Sequence, residues 1–332
     1  MIKPDLVCPA GTPAALRDAV DAGADCVYCG FQNATNARNF PGLNFTPDEL
    51  DRGIAYAHAR GAKVLVALNT FPPAGKFELW RQAVDGAVAR GADALIVADI
   101  GVASYAAEAH PDTRLHLSVQ ASASSPEAIK YYCREFGVRR VVLPRILTIP
   151  EIKAIAQAIP CEIEAFIFGN HGLMLEGRCS LTNYVTGQST NMDGVCSPAA
   201  DVKFEPLPDG GMASRLGGHM LDCFGAGDKA GYPTLCKGRY VAPCRSEPYY
   251  AFEEPLSLNL APMLADLIHA GVHAFKIEGR QRSRAYVQKV VAAFREAIDD
   301  VFDGRAPRVA DLIGLTEGQK QTEGAYKSKR WR

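Results

Sequence analysis

Residues 63–98 contain Lys63-Val64-Leu65-Val66-Ala67-Leu68-Asn69, then an amphipathic stretch from Lys76 to Arg90, then Ala94-Leu95-Ile96-Val97-Ala98. Two apolar runs of strand length separated by a helix-periodic stretch are the mark of a βα unit in a parallel sheet buried on both faces. The alternation continues outward in both directions. Upstream lie strand-like Asp5 to Pro9 and Ala24 to Cys29, with helix-like Thr12 to Ala22 and Thr46 to Ala59. Downstream come strand-like Arg114 to Gln120, Arg139 to Leu143 and Glu162 to Phe168, separated by helix-like Ser125 to Phe136 and Ile149 to Ala158. An eighth strand, His273 to Ile277, returns after a long interval, and a helix from Ser283 to Phe302 follows it. Eight such units predict an α/β fold, a (β/α)8 TIM-barrel-like domain with a long cysteine-containing insertion after strand seven. On this reading residues 1–168 form the first seven units, 169–256 the insertion, 257–305 the return to the barrel and 306–332 a C-terminal tail. A doubly wound sheet is the rival, and no GxGxxG after the first strand supports it.

The composition suits a large core: 48% of the 332 residues are hydrophobic. With 36 Lys and Arg against 37 Asp and Glu there is no global field for holding a phosphate backbone, so a small molecule or a protein partner is expected rather than nucleic acid. No apolar run reaches the length of a membrane span and no leader pattern opens the chain, which predicts a cytoplasmic protein.

In a barrel of this kind the working residues sit at the C-terminal ends of the strands. Those ends carry Asn33, Asn36 and Arg38 after strand two, Asn69 and Thr70 after three, Asp99 after four and Gln120 after five. Arg145 follows strand six, and Lys276, Glu278 and Arg280 lie at strand eight. Asp99 and Thr148 also have the character of helix N-caps. Arg38, Arg145, Lys276 and Arg280 are expected to bind substrate, because several fixed cations around one mouth suit a ligand with two carboxylates. Asn69 and Gln120 are expected to orient it, and Glu278 to transfer a proton.

Ten cysteines is a high count for a chain expected in a reducing compartment. Cys8, Cys26, Cys29, Cys133 and Cys161 lie in apolar strand-like or helix-like sequence, as small buried hydrophobes do. Cys26 and Cys29 form a CxxC on a strand, where their thiols point to opposite faces, against a redox pair. Cys179, Cys196 and Cys236 instead fall in irregular Gly/Pro-rich loops beside Arg178, Lys237 and Arg239. Thiolates converging from separate loops suit an iron–sulfur cluster or zinc, and spacing alone does not separate the two. Cys223 and Cys244 lie in the same insertion.

At these residues the chain resembles peptidase family U-32, in the branch that serves ubiquinone biosynthesis without oxygen. The resemblance rests on Cys8-Pro9-Ala10-Gly11, Thr35-Asn36-Ala37-Arg38-Asn39-Phe40, Ser118-Val119-Gln120-Ala121-Ser122, Val142-Leu143-Pro144-Arg145 and Glu176-Gly177-Arg178-Cys179. It continues through Cys196-Ser197-Pro198-Ala199, Gly231-Tyr232-Pro233-Thr234-Leu235-Cys236-Lys237-Gly238-Arg239 and Lys276-Ile277-Glu278-Gly279-Arg280.

The resemblance implies a 4Fe-4S protein that pairs with a sister subunit, hydroxylates the ubiquinone ring without oxygen and draws on a prephenate-type carboxylated oxygen donor. A lipid-carrier protein delivering ubiquinone intermediates is a further implied partner. The same family implies two rivals, an RNA hydroxylase and a non-catalytic iron–sulfur scaffold. Its peptidase label finds no Ser/His/Asp order and no HExxH in this chain. One departure stands out. The family places four cysteines on the cluster, and three match Cys179, Cys196 and Cys236, but the fourth position is Gly172. His171 could supply a nitrogen ligand, the fourth iron could stay open, or the cluster could be lost.

Overall fold

Thr46-Pro47-Asp48-Glu49 shows how the sequence starts its helices. The Thr46 hydroxyl accepts the Glu49 N–H, the Glu49 carboxylate accepts the Thr46 N–H, and Pro47 sets the first helical φ. Thr148-Ile149-Pro150-Glu151 repeats this capping box, and Ser125-Pro126 uses the hydroxyl alone. The computed structural model describes residues 3–171, 180–187, 197–252, 254–308, 310–316 and 320–328.

The strands run β1 (Asp5–Pro9), β2 (Cys26–Cys29), β3 (Lys63–Leu68), β4 (Ala94–Val97), β5 (Leu115–Leu117), β6 (Arg140–Val142) and β7 (Glu162–His171). The insertion adds β8 (Val202–Pro206), β9 (Met212–Leu216), β10 (His219–Phe224), β11 (Arg239–Tyr240), β12 (Tyr249–Tyr250) and β13 (Leu256–Asn259). Then come β14 (Ala274–Ile277) and β15 (Lys320–Thr322). Helices α1 (Pro13–Asp21), α2 (Pro47–His58), α3 (Glu78–Ala89), α4 (Ile100–Ala109), α5 (Pro126–Phe136) and α6 (Ile149–Ala158) follow the first six strands in turn. Helix α7 (Ser180–Thr186) lies after β7, α8 (Leu264–His269) after β13 and α9 (Arg284–Phe302) after β14.

Strands β1 to β7 and β14 form a closed parallel barrel. β14 is the closing strand: Lys276 pairs with Val7 of β1 on one side and with Phe166 of β7 on the other. This is the (β/α)8 barrel that the sequence predicts. Side chains alternate between two cores. Val7, Cys26, Tyr28, Leu65, Ala67, Ile96 and Ala274 fill the barrel interior, while Leu6, Cys29, Val64 and Leu95 pack outward under the helices. Cys26 and Cys29 therefore fall in different layers.

The turn signal Pro208-Asp209-Gly210-Gly211 predicts a hairpin of Val202 to Pro206 against Met212 to Leu216, and β8 and β9 form it, pairing Val202 with Leu216 and Pro206 with Met212. Three features lie outside the expected pattern. A third strand, β10, extends the hairpin. Strand β7 runs past the barrel rim, where β13 pairs antiparallel with it. β15 then pairs parallel with β13, and Tyr326 is buried in the main core. The segment assigned to a tail is thus packed against the barrel as far as Tyr326.

Candidate binding site at the barrel mouth

The loop after β2 is held in place by its own asparagines. Asn36 donates to the Phe31 carbonyl at 2.6 Å and its side-chain oxygen accepts the Arg38 N–H at 2.9 Å. Asn69, at the end of β3, accepts the Ala37 N–H at 2.9 Å and donates to the Ser118 hydroxyl after β5 at 3.3 Å. Asn69 thus braces two loops of the mouth. Gln120 is buried in the turn after β5 and lines the cavity. Asp99 is a helix cap: its carboxylate accepts the Gly101 and Val102 N–H groups at 2.9 and 3.1 Å.

Glu278, just beyond β14, organises the cations. Its Oε1 pairs with Arg38 Nη2 at 3.1 Å and its Oε2 with Arg145 Nη2 at 2.5 Å. Burial alone pushes this carboxyl up, but the charges and hydrogen bonds of Arg145 and Arg38 outweigh it and bring it down to about 2. Near neutral pH Glu278 is a carboxylate shared between the two guanidinium groups. The two arginines also differ from free clamps: each already shares this carboxylate. Gly169 gives Glu278 its room, since a Cβ there would lie 2.7 Å from the Glu278 Cβ, on a backbone with φ +129°.

Arg280 is different. It is 6% exposed, donates to Asn36 Oδ1 at 3.2 Å and, among the described residues, has no carboxylate in ion-pair distance. Burial holds its guanidinium down to about 10, so it remains charged at neutral pH. A buried cation with no counter-ion is costly unless an anion arrives. Among the described lining residues four guanidinium groups, those of Arg38, Arg145, Arg280 and Arg282, accompany one carboxylate, and the mouth keeps a positive balance.

Lys276 is paired from below. Its amine lies 2.5 Å from Glu164 Oε1, and Glu164 is fully buried. Arg140 Nη1 lies 3.5 Å from the other oxygen of Glu164, and Arg140 Nη2 bonds Asp5 at 2.6 Å and Glu162 at 2.7 Å. A column of charge thus runs inside the barrel from the mouth to its opposite end. Glu164 escaped the sequence reading. The signal for it was an acid on an inward-facing position of an otherwise apolar strand.

The insertion closes over the same cavity: Ser197, Tyr232, Thr234 and Lys237 line it together with Arg38, Arg145 and Arg280. Phe40 of the β2 loop meets Tyr232 edge to face at 6.5 Å, and Lys237 donates to Asn170 beyond the rim. Of the expected metal ligands, Cys179 and Cys196 lie outside the described residues, as do Gly172 and the side chain of His171. Cys236 is half-buried, with its sulfur 3.6 Å from the Thr234 hydroxyl. Among the described residues no three His, Cys, Asp or Glu side chains gather as a metal site. Cys223 instead sits on β10 with its thiol 3.6 Å from the Met220 sulfur, and Cys244 is exposed. No described residue lining the mouth is a histidine, cysteine or aspartate.

The structure is thus a closed barrel of the TIM-barrel class with a cationic mouth roofed by a loop-rich insertion. Residues 11–329 match the model of Peptidase family U32, and the chain belongs to that family. It is 32% identical to tRNA hydroxylation protein P of Escherichia coli, over 96% of this chain and 72% of that protein. It is 29% identical to the 23S rRNA 5-hydroxycytidine C2501 synthase of the same organism, over 94% of this chain and 42% of that one. A solved U32 peptidase structure superposes with a TM-score of 0.52 at 13% identity, covering 85% of this chain and 96% of that one, which supports the fold. Among the described residues no helix is long and apolar enough to cross a membrane.

Proposed function

We propose that this chain is a UbiU-like iron–sulfur subunit that acts with a UbiV-like sister subunit in oxygen-independent hydroxylation of the ubiquinone ring. The carrying observation is the mouth itself: Arg38, Arg145 and Arg280 around a single carboxylate make a site for a small dicarboxylate, the chemistry of a prephenate-type oxygen donor. The hydroxylation proteins among its relatives support oxygen insertion as the reaction class. The motifs of the quinone branch, and a chain with formal net charge −1, favour a ring over RNA as acceptor. Peptide hydrolysis is disfavoured because the described residues of the mouth include no histidine, cysteine or aspartate from which a Ser/His/Asp or Cys/His hydrolase site is built.

Contacts beside the cysteines support a cluster held by the insertion. Ser197, the neighbour of Cys196, is buried and donates to the Pro233 carbonyl at 2.5 Å, and Tyr232 donates to the Ser197 carbonyl at 3.0 Å. These bonds tie the chain beside Cys196 to the turn that carries Cys236. Leu235 and Val185 share one small core with Leu216 and Leu221, and Val185 belongs to α7, which begins one residue after Cys179. These contacts of the described neighbours support the reading in which Cys179, Cys196, Cys236 and, in place of a fourth cysteine at Gly172, His171 are the ligands. A bound 4Fe-4S cluster would supply redox or Lewis-acid chemistry. The chain's own part is to bind the donor on guanidinium groups, orient it with Asn69 and Gln120, and shield it beneath the insertion.

RNA hydroxylation is the second reading, favoured by the named relatives. Deleting the gene and growing cells without oxygen separates the two. Loss of ubiquinone with accumulation of an under-hydroxylated ring precursor is the expected result. Normal quinone with missing hydroxylated nucleosides would transfer the reading to RNA.

A further inference from the structure

The rim of the mouth uses arginine, but its floor uses lysine. Lys276 lines the cavity, is 5% exposed, and places its amine 4.1 Å from the centroid of the Tyr28 ring and 5.9 Å from that of Phe166. Each of these rings also carries a guanidinium: Arg280 lies 5.6 Å from the Tyr28 centroid and Arg145 lies 3.8 Å from that of Phe166. The amine therefore stands between two anion-binding groups, in a largely desolvated aromatic box. Arginine would serve equally well as a structural counter-ion for Glu164, but only an amine can shed its proton and act as a nucleophile. Burial pushes the Lys276 ammonium below its ordinary range, against the pull of Glu164. Glu164 Oε2 is buried and makes no hydrogen bond, so the carboxylate has acceptor capacity to spare.

We propose that Lys276 forms an imine with the carbonyl carbon of a 2-oxo acid whose carboxylate rests on the guanidinium groups of the mouth. The inference rests on the mouth being the ligand site of the preceding section. Glu164 takes one ammonium proton, and the freed lone pair adds to the carbonyl carbon while the C=O π pair becomes an alkoxide. The newly bonded nitrogen gives a proton to that oxygen, leaving a neutral carbinolamine. Glu164 then returns its proton to the hydroxyl, which leaves as water as the nitrogen lone pair forms the C=N bond. The net change is ammonium plus ketone to protonated imine plus water, with no redox step. The product nitrogen is cationic, so the pair with Glu164 survives the reaction.

The test uses the full chain, with pyruvate as probe, sodium borohydride as trap and peptide mass mapping as readout. The expected result is a reduced pyruvyl adduct on Lys276 above that on any exposed lysine, lost when excess malonate fills the guanidinium sites. An unmodified Lys276, or labelling that malonate leaves unchanged, would overturn the proposal. Mapping on the unsubstituted protein makes the result independent of whether Lys276→Arg folds. It needs neither cluster nor sister subunit, so failure of the quinone reading would be seen separately, in the cellular assay.

Discussion

Replacing Glu164 by alanine is expected to cost about 5 kcal/mol of stability, enough to leave little soluble protein, because removing one partner of a buried ion network strands the others. Glu164 is fully buried between Lys276 at 2.5 Å and Arg140 at 3.5 Å, and its loss leaves two cations inside the barrel with less compensation. Urea unfolding of the purified variant, or its yield against the unsubstituted chain, measures the effect. The double change Glu164→Ala with Lys276→Met is expected to regain a good part of the loss, since it removes the stranded charge and leaves an apolar side chain of similar length. If Glu164→Ala unfolded at the same urea concentration as the parent, the charge column would carry no structural weight.

Glu278→Gln is expected to act on stability, acid response and ligand binding together. The Glu278 carboxyl is held at about 2 against an ordinary 4.5 by the two arginines, after burial has worked in the opposite direction. A lowered carboxyl stabilises the fold fully above the unfolded value and loses that contribution as pH falls toward the folded one. The parent protein should therefore lose up to about 3 kcal/mol from this group between pH ~4.5 and ~2. Glu278→Gln should already lack this contribution at neutral pH and show a flatter acid limb. The amide also removes the negative charge that Arg38 and Arg145 share. Added malonate is then expected to raise the melting temperature of the variant more than that of the parent. Equal malonate responses would show that Glu278 does not compete with an incoming dicarboxylate.

The barrel was legible because its determinants are local. Val64 to Leu68 and Leu95 to Val97 are apolar at every position, as strands buried on both faces must be, and Thr46, Ser125 and Thr148 mark helix starts by their own side chains. The polar residues at strand ends were legible for the same reason: closing the barrel brings Arg38, Asn69, Gln120, Arg145 and Arg280 to one cavity. Their partners were not. Arg145 meets Glu278 across 133 residues and Lys276 meets Glu164 across 112, so the sign and availability of each charge depend on closure between β14 and β7. Strand β15 was illegible because Lys320-Gln321-Thr322 has no apolar pattern and is a strand only through pairing with β13. Tyr232 and Ser197 were read only as neighbours of cysteines, although both line the mouth.

The central claim is that an iron–sulfur cluster, held by segments that meet through Ser197, Pro233 and Leu235, sits with a cationic barrel mouth in one hydroxylating subunit. Iron and acid-labile sulfide per chain, measured on protein purified without oxygen beside Cys236→Ser, test it most directly. The account predicts iron and sulfide with a broad visible absorbance in the parent chain, and loss of both in Cys236→Ser at unchanged thermal stability of the barrel. Parent protein free of iron and sulfide, even when purified with its sister subunit, would contradict it.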